Sequence, residues 1–136
     1  MAETRTGKCL CGAVSYSVAW PPAMVMACHC KDCQRQAGSI LSPIAAFPQD
    51  SVTINGTLKT YHGTGESGGT VLRKFCGDCG SPILSEIPQG NFAAMYFIKA
   101  GTLDDTSGMT PSAHLWTSSA QDWFPFPEGA VKVEKQ

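Results

Sequence analysis

Cys76-Gly77-Asp78-Cys79 and Cys9-Leu10-Cys11 are two pairs of cysteines, each at a spacing typical of metal ligands. Residues i and i+2 of an extended strand project to the same side, so Cys9 and Cys11 can present both sulfurs to one ion. Cys76 and Cys79 are expected on a tight turn, where Gly77 and Gly80 permit backbone conformations that point amides towards the thiolates. Because two thiolates do not complete a tetrahedron, the two pairs predict one closed, four-sulfur zinc site.

A third cluster, Cys28-His29-Cys30-Lys31-Asp32-Cys33, combines both spacings in one short segment. It can place three sulfurs on one face of an ion without help from elsewhere, and it leaves a fourth position open. Structural zinc sites are coordinatively full, whereas reactive sites keep room for water or substrate. The seven cysteines therefore predict two zinc ions, one that holds the fold and one that takes part in chemistry.

Other uses of clustered cysteines fit this pattern less well. Disulfides suit a secreted chain, but residues 1–6 contain no apolar signal segment and seven cysteines leave one thiol over. A thiol–disulfide oxidoreductase would use one CxxC motif at a helix start and leave the other clusters unexplained. An iron–sulfur cluster stays as an alternative, although a division into four and three thiolates is better explained by two separate ions.

Length and composition predict one soluble domain, residues 1–136, that buries about two-thirds of its unfolded surface. Only 15% of the residues are charged and 43% are hydrophobic, so much of the sequence is core or interface. The net charge is −1 and the ten Lys and Arg are scattered, which argues against a nucleic-acid partner. The longest apolar run, 92–98, is too short to span a membrane, and a reducing, cytoplasmic location is expected.

The rest of the chain is predicted to be mainly β. Period-two alternation and apolar runs of strand length predict strands at 14–18, 51–54, 70–75 and 92–99. Only 32–37, directly after the third cluster, has a helical pattern, of about two turns. Residues 62–69 lack the Lys and Ser or Thr of a phosphate-binding loop, and they predict a mobile hairpin connection able to overhang a site.

The open site is better suited to holding a thiol than to acidifying water. Three thiolates make a bound zinc a weaker Lewis acid than three neutral histidines do. An incoming thiol would have its pKa lowered and would remain a soft nucleophile, placed to attack a carbonyl carbon. The negative charge of four thiolates must be offset, and Lys31, Arg35 and the amides at the start of the short helix are the predicted source.

Five segments, in this order, carry a further pattern: Gly7 to Val14, Cys28 to Arg35, Arg73 to Pro82, Ala100 to Asp105, and Pro111 to His114 followed by Trp123. Together they resemble the glutathione-dependent formaldehyde-activating enzyme family, which also contains centromere protein V. The resemblance covers about residues 7–125. It implies a single-domain β-tent of packed antiparallel sheets with one short helix after the second cysteine cluster along the chain.

The same resemblance implies the metal sites and the activity. It implies a structural zinc on Cys9, Cys11, Cys76 and Cys79, and a labile, catalytic zinc on Cys28, Cys30 and Cys33. The implied reaction is that of a carbon–sulfur lyase, in which glutathione and formaldehyde join reversibly as S-hydroxymethylglutathione. Glutathione, or another small thiol, is therefore the expected partner.

The three histidines are expected to differ in role. In an extended segment the ring of His29, which lies between two ligands, points away from the metal, so packing or support is favoured over ligation. His62 is expected at the surface of a loop. His114 matches the single histidine of the family and is interpreted as a proton carrier, with strand packing as the alternative. The predicted catalytic residues are Cys28, Cys30, Cys33 and His114.

Four aromatic side chains near the C-terminus are expected to form core or pocket wall rather than to take part in chemistry. They are Trp116, Trp123, Phe124 and Phe126. Three classes of function are left: an enzyme acting on thiol adducts of small carbonyl compounds, a thiol carrier, and a zinc-stabilised interaction module. A measurement of turnover against the uncatalysed rate separates the first two.

Overall fold

The computed structural model describes residues 3–135, which form two β-sheets, one α-helix and four short 3-10 turns. The strands are β1 (Glu3–Lys8), β2 (Ser15–Trp20), β3 (Met24–Cys28), β4 (Ser42–Pro48), β5 (Val52–Asn55), β6 (Leu58–Thr64), β7 (Thr70–Cys76), β8 (Pro82–Glu86), β9 (Met95–Lys99), β10 (Ala113–Leu115) and β11 (Lys132–Val133). The helix α1 spans Lys31–Ala37. The prediction of a mainly β fold with one short helix after the second cysteine cluster is confirmed.

The smaller sheet has the strand order β1-β2-β5, and the larger has the order β11-β10-β3-β4-β9-β8-β7-β6. Most neighbours are antiparallel, as expected. The exceptions lie at one edge of the large sheet, where β10 runs parallel to both β3 and β11. Within residues 3–135, no helix has the length and apolar character needed to cross a bilayer.

The large sheet separates two apolar interiors. Successive residues of a strand point to opposite faces, so each strand contributes to both. The interior between the two sheets contains Val14, Val18, Phe47, Ile83, Leu84 and Ile98. The interior on the other face contains Met26, Cys28, Cys30, Ala46, Phe97, Leu115 and Trp116. Burying each large apolar side chain stabilises the fold by about 1.5–3 kcal/mol, so both faces of the sheet are held in place.

Two elements have boundaries that differ from those predicted from the sequence. The apolar run at 92–99 becomes a strand only from Met95, because a 3-10 turn over Gly90–Phe92 comes first. Strand β6 extends to Thr64, so the connection predicted at 62–69 is a tighter hairpin turn over 65–69. The helix begins after Cys30 and ends at Gly38, whose φ of 63° suits glycine.

One close approach fixes the small sheet beside the first cysteine pair. A Cβ atom at Gly7 would overlap the ring of Tyr16 and the carbonyl of Thr102, so only glycine fits there. The hydroxyl groups of Tyr16 and Thr102 are hydrogen-bonded at 2.7 Å. This hydrogen bond joins β2 to the 3-10 turn that follows β9. It lies against Gly7, which is two residues before Cys9 in the sequence.

Candidate functional site

The predicted four-sulfur group is assembled in the structure. The sulfurs of Cys9, Cys11, Cys76 and Cys79 all lie within 4.8 Å of one another. Sγ of Cys11 is 3.7 Å from that of Cys9 and 3.8 Å from that of Cys76. Four sulfurs at about 2.3 Å from a tetrahedral zinc ion would be separated by about 3.8 Å, so this donor set fits zinc. None of the seven cysteines forms a disulfide.

Two backbone turns present these sulfurs. Val14 N donates to Sγ of Cys9 at 3.3 Å, and Asp78 N donates to Sγ of Cys76 at 3.4 Å. The turn at Cys76 closes through Gly80 N, which donates to the Cys76 carbonyl at 2.8 Å with φ at +80°. Gly77 does not have positive φ, so of the two glycines singled out in the sequence only Gly80 needs its conformational freedom.

Two members of the four-sulfur group belong to the main core, whereas Cys11 is exposed and Cys79 is half-buried. Cys9 and Cys76 are 2% and 1% exposed, and both pack in the interior between the sheets. The group ties the end of β1 to the end of β7, which are far apart in sequence. An ion here would therefore cross-link the two sheets, which is what a structural zinc does.

The second thiol group lies on the opposite face of the large sheet. Cys28 ends β3, Cys30 is the N-cap of α1, and Cys33 lies in the first turn of that helix. Sγ of Cys30 accepts a hydrogen bond from Cys33 N at 3.2 Å, which folds the segment back on itself. The three sulfurs lie within 4.8 Å of one another, and no other His, Cys, Asp or Glu among the described residues joins them.

Two buried cations face this group. Arg73 Nη1 is 3.9 Å from Sγ of Cys33, and the Lys99 ammonium donates to Ser42 Oγ at 2.8 Å. Hydrogen bonds from Cys28 and Cys30 hold the pKa of Cys33 well below its usual range, and the charges of Lys99 and Arg73 act in the same direction. Burial in turn lowers the pKa of Lys99, against the opposing influence of Cys33.

These cations are not the ones expected from the sequence. Lys31 and Arg35 are exposed, whereas Arg73 and Lys99 are 7% and 6% exposed. Arg73 comes from β7 and Lys99 from β9, and both reach the thiols because their strands lie in the same sheet as β3. The expectation for Lys31 and Arg35 is therefore corrected: α1 contributes ligands, and the strands contribute the buried positive charge.

A cavity of about 120 Å³ opens beside Cys28, Cys30 and Cys33. Arg73, Lys99 and Ser85 form part of its wall, and apolar side chains of the second interior form another part. The hairpin turn after β6 covers one side, and Glu66 Oε1 accepts a hydrogen bond from Lys31 N at 3.3 Å. The turn therefore borders the cavity, and its role as a cover of a functional site stays a prediction.

His114 is placed away from the cavity. Leu115 is opposite Cys28 in the sheet register and Ala27 is opposite His114, so His114 points to the other face from Cys28. Its Nδ1 is 3.0 Å from Nε2 of His29, and both rings are buried. Burial lowers the pKa of both imidazoles, which leaves two neutral rings that share one hydrogen bond.

The histidine pair is packed by aromatic rings. Phe124 and Phe126 lie 5.1 Å and 5.2 Å from the ring of His29, between centroids, and Phe126 lies 5.1 Å from that of His114. Nδ1 of His29 has no hydrogen-bond partner within residues 3–135. The geometry confirms that His29 packs rather than ligates. The proton-carrier role of His114 stays a prediction.

The expectation for the C-terminal aromatic residues is correct for three and wrong for one. Trp116 lines the cavity, and Phe124 and Phe126 pack on the histidines. Trp123 is 63% exposed. Along 123–127 exposed and half-buried residues alternate, so the extended chain turns Trp123 outwards when it turns Phe124 inwards. His62 is exposed, as expected, but it lies in strand β6 and not in a loop.

Comparisons with known proteins find a family whose sequence model matches most of this chain. The sequence model of the family described as "Glutathione-dependent formaldehyde-activating enzyme" matches residues 4–119. A curated protein of Colletotrichum graminicola, called a putative glutathione-dependent formaldehyde-activating enzyme, is 24% identical over 111 residues. The match covers 81% of this chain and 58% of that protein, so the chain spans little more than half the length of this relative.

A solved structure of a Rhodobacter sphaeroides protein has a similar fold, with a TM-score of 0.58. The two chains are 22% identical, and the superposition covers 78% of this chain and 91% of the other. At that identity the likeness concerns the fold alone.

Proposed function

The chain belongs to the glutathione-dependent formaldehyde-activating enzyme family, and we propose that it catalyses the reversible addition of a small thiol to an aldehyde. Glutathione and formaldehyde are the reactants that the family name suggests. The observation that carries the proposal is the group of Cys28, Cys30 and Cys33, which lacks a fourth ligand among the described residues and borders a cavity. This makes the protein a carbon–sulfur lyase.

We assign one zinc ion to each thiol group. The ion on Cys9, Cys11, Cys76 and Cys79 is structural, because the donor set is full and two of its members, Cys9 and Cys76, are part of the main core. A labile zinc ion held by Cys28, Cys30 and Cys33 would supply an exchangeable fourth position that favours sulfur and lowers the pKa of an incoming thiol. Seven unpaired cysteines suit a reducing compartment such as the cytoplasm.

The reaction needs a C–S bond to form and a proton to move. The thiolate sulfur attacks the carbonyl carbon, the electron pair of the C=O π bond moves to oxygen, and the oxygen takes one proton. The reverse reaction returns the proton and breaks the C–S bond, so no oxidant or reductant is required. Arg73 and Lys99 present N–H groups on the cavity wall, where they suit an oxygen that develops negative charge.

Arg73 and Lys99 also offset the charge of the thiolates. A site with three protein thiolates and an incoming thiolate carries more negative charge than one divalent ion neutralises. Both cations are buried, so their influence is weakly screened by solvent. We propose that they favour the thiolate form of Cys33 and let the site accept the charge of an incoming thiolate.

His114 keeps its proposed part in proton transfer, and the geometry gives it two indirect connections to the cavity. Its ring contacts His29, whose backbone joins Cys28 to Cys30. Its backbone leads to Leu115 and Trp116, which line the cavity. The alternative, in which His114 packs the edge of the sheet, is supported by its burial against Phe126.

Cobalt(II) tests the proposed thiol site, because it accepts similar sulfur ligation and its visible absorption reports the ligand set. Adding glutathione or a smaller thiol should change the spectrum of the cobalt-substituted protein. Cys30→Ser should abolish this response while the protein still binds one metal ion. A spectrum that stays constant at millimolar thiol would contradict the proposal.

A thiol carrier would give the same spectral response without catalysis. The two functions separate when magnetic resonance exchange rates of thiol and aldehyde are measured with and without the protein. This control is necessary because glutathione and formaldehyde combine unaided. An enzyme accelerates both addition and release, whereas a carrier changes only the fraction of thiol that is free.

A further inference from the structure

The cavity beside the thiols has an apolar wall that formaldehyde would not use. The wall is made by Ile44, Ile87, Phe92, Phe97, Leu115 and Trp116. The space is about 120 Å³, which is close to the roughly 150 Å³ of an engineered apolar cavity that binds benzene. Formaldehyde has a single carbon, so it would leave empty the part of this space that the thiol does not fill.

The apolar wall is built into the protein core. The rings of Phe92 and Phe97 meet edge to face, with centroids 5.6 Å apart and an interplanar angle of 76°. Phe97 is 4% exposed and belongs to the same buried cluster as Cys28 and Cys30. Trp116 is the sole described non-glycine residue with positive φ, at 56°, a conformation that such residues rarely adopt. The wall is therefore preformed beside the sulfurs.

The cavity presents polar and apolar groups side by side. Arg73 contacts Cys33, and Lys99 is held by Ser42, which is opposite Cys28 in the sheet register. Apolar side chains adjoin these groups, because Leu115 is opposite Cys28 and Ile44 is opposite Lys99. A ligand that satisfies both kinds of group has a sulfur and an oxygen for the polar groups and a compact apolar group for the rest of the wall.

We propose that the aldehyde used by this protein carries a compact apolar group, such as a branched aliphatic chain or a phenyl ring. The inference rests on the proposed thiol–aldehyde addition and names the substrate class of that site. The adduct lies with its sulfur towards Cys28, Cys30 and Cys33 and its apolar group against Phe92 and Phe97. Bonds and protons change as in the addition described above, and no further reactant enters.

The test compares two aldehydes with one thiol. Exchange rates are measured by magnetic resonance for mercaptoethanol with formaldehyde and with isobutyraldehyde, each with and without the zinc-loaded protein. The acceleration should be larger for isobutyraldehyde by about 10- to 100-fold, because each of its three additional carbons favours burial by roughly fourfold. A third reaction, of isobutanethiol with formaldehyde, places the apolar group on the thiol instead.

A matched pair of substitutions locates the effect. Val71→Phe adds a ring to a residue that lines the cavity, whereas Val131→Phe makes the same change at a residue that is 57% exposed and outside it. Val71→Phe should reduce the ratio of the isobutyraldehyde and formaldehyde accelerations towards one. Val131→Phe should keep the ratio of the unaltered protein.

A binding measurement gives a readout without turnover. Isobutanol is an unreactive analogue, and it should shift the methyl resonances of Ile44 and Ile87 in a saturable manner that Val71→Phe abolishes. If formaldehyde is accelerated at least as much as isobutyraldehyde and isobutanol does not bind, the inference is overturned and the proposed function stands. If neither aldehyde is accelerated, both fall. If the protein accelerates only the reaction of isobutanethiol with formaldehyde, the apolar group belongs to the thiol, and the assignment to the aldehyde is overturned.

Discussion

The two thiol groups lie on opposite faces of one sheet and have opposite surroundings. In the four-sulfur group, Cys9 and Cys76 pack among core side chains between the sheets, and no buried cation is in the immediate contacts of the group among the described residues. The three-sulfur group borders a cavity and faces Arg73 and Lys99. The same ligand type is thus used once as a cross-link and once as a reactive surface. Ligand number and packing, rather than the cysteines themselves, make the difference.

The sharpest way to break this comparison is to remove one sulfur from each group. Cys79→Ser should prevent folding, because a structural zinc ion contributes on the order of 10–16 kcal/mol of apparent binding free energy, more than the net stability of most domains. Cys33→Ser should leave a folded protein with one zinc ion instead of two. Soluble yield, circular dichroism and metal analysis check both. Equal damage from the two substitutions would defeat the assignment of roles.

His114→Asn distinguishes a proton carrier from a packing residue. If His114 carries protons, turnover should fall by about 10²–10⁴-fold while the melting temperature and zinc content are preserved. The buried contact with His29 favours the other outcome, a lower melting temperature with turnover per folded molecule within about tenfold. Thermal unfolding and exchange rates on the same sample decide. His62→Asn, at an exposed position, is the control and should change neither.

Lys99→Met tests the buried cations against those expected from the sequence. An opposite charge nearby typically shifts a pKa by about 1–3 units, so losing Lys99 should weaken thiol binding to the cobalt form by on the order of 10²-fold. Lys31→Met removes an exposed lysine from the segment that carries the ligands, and it should have little effect. Titration of the visible spectrum with thiol measures both. If the two substitutions weaken thiol binding equally, the charge of the helix segment would balance the thiolates as much as Lys99 does.

The sequence contained the ligands but not their electrostatic partners. Cysteine spacing is a local property, so both thiol groups and the short helix were predictable from a few neighbouring residues. Arg73 lies forty residues from Cys33 and reaches it only through the register of the large sheet. In the sequence, Arg73-Lys74 is an unremarkable basic pair. Strand alternation places Arg73 inside and Lys74 in a half-buried ion pair with Glu86 on the other face, but the strand order must be known before this can be inferred.

The placement of His114 was hidden for a similar reason. Strand β10 has only three residues and runs parallel to its neighbours, so it shows no periodic pattern that a sequence could reveal. Its pairing with β3 decides that Leu115 shares a face with Cys28 and that His114 does not. A motif match could therefore identify the histidine, but it could not show to which face of the sheet the side chain points.

The smallest expected effect concerns pH on the four-sulfur side of the sheet. Burial raises the pKa of Tyr16 from an ordinary value near 10 to about 12, against the opposing influence of its hydrogen bond with Thr102. The folded protein then keeps this proton more tightly than the unfolded chain. The resulting stability is complete below about pH 10 and is lost as the pH rises towards 12, by about 2–3 kcal/mol in total. Urea unfolding at pH 9 and at pH 11.5 should show a steeper loss of stability for the unaltered protein than for Tyr16→Phe. Tyr61→Phe, at a ring that is 62% exposed, should retain the steeper loss. Identical slopes for all three proteins would mean that Tyr16 ionises without leaving the core, and that the contact beside Gly7 is looser than the structure shows.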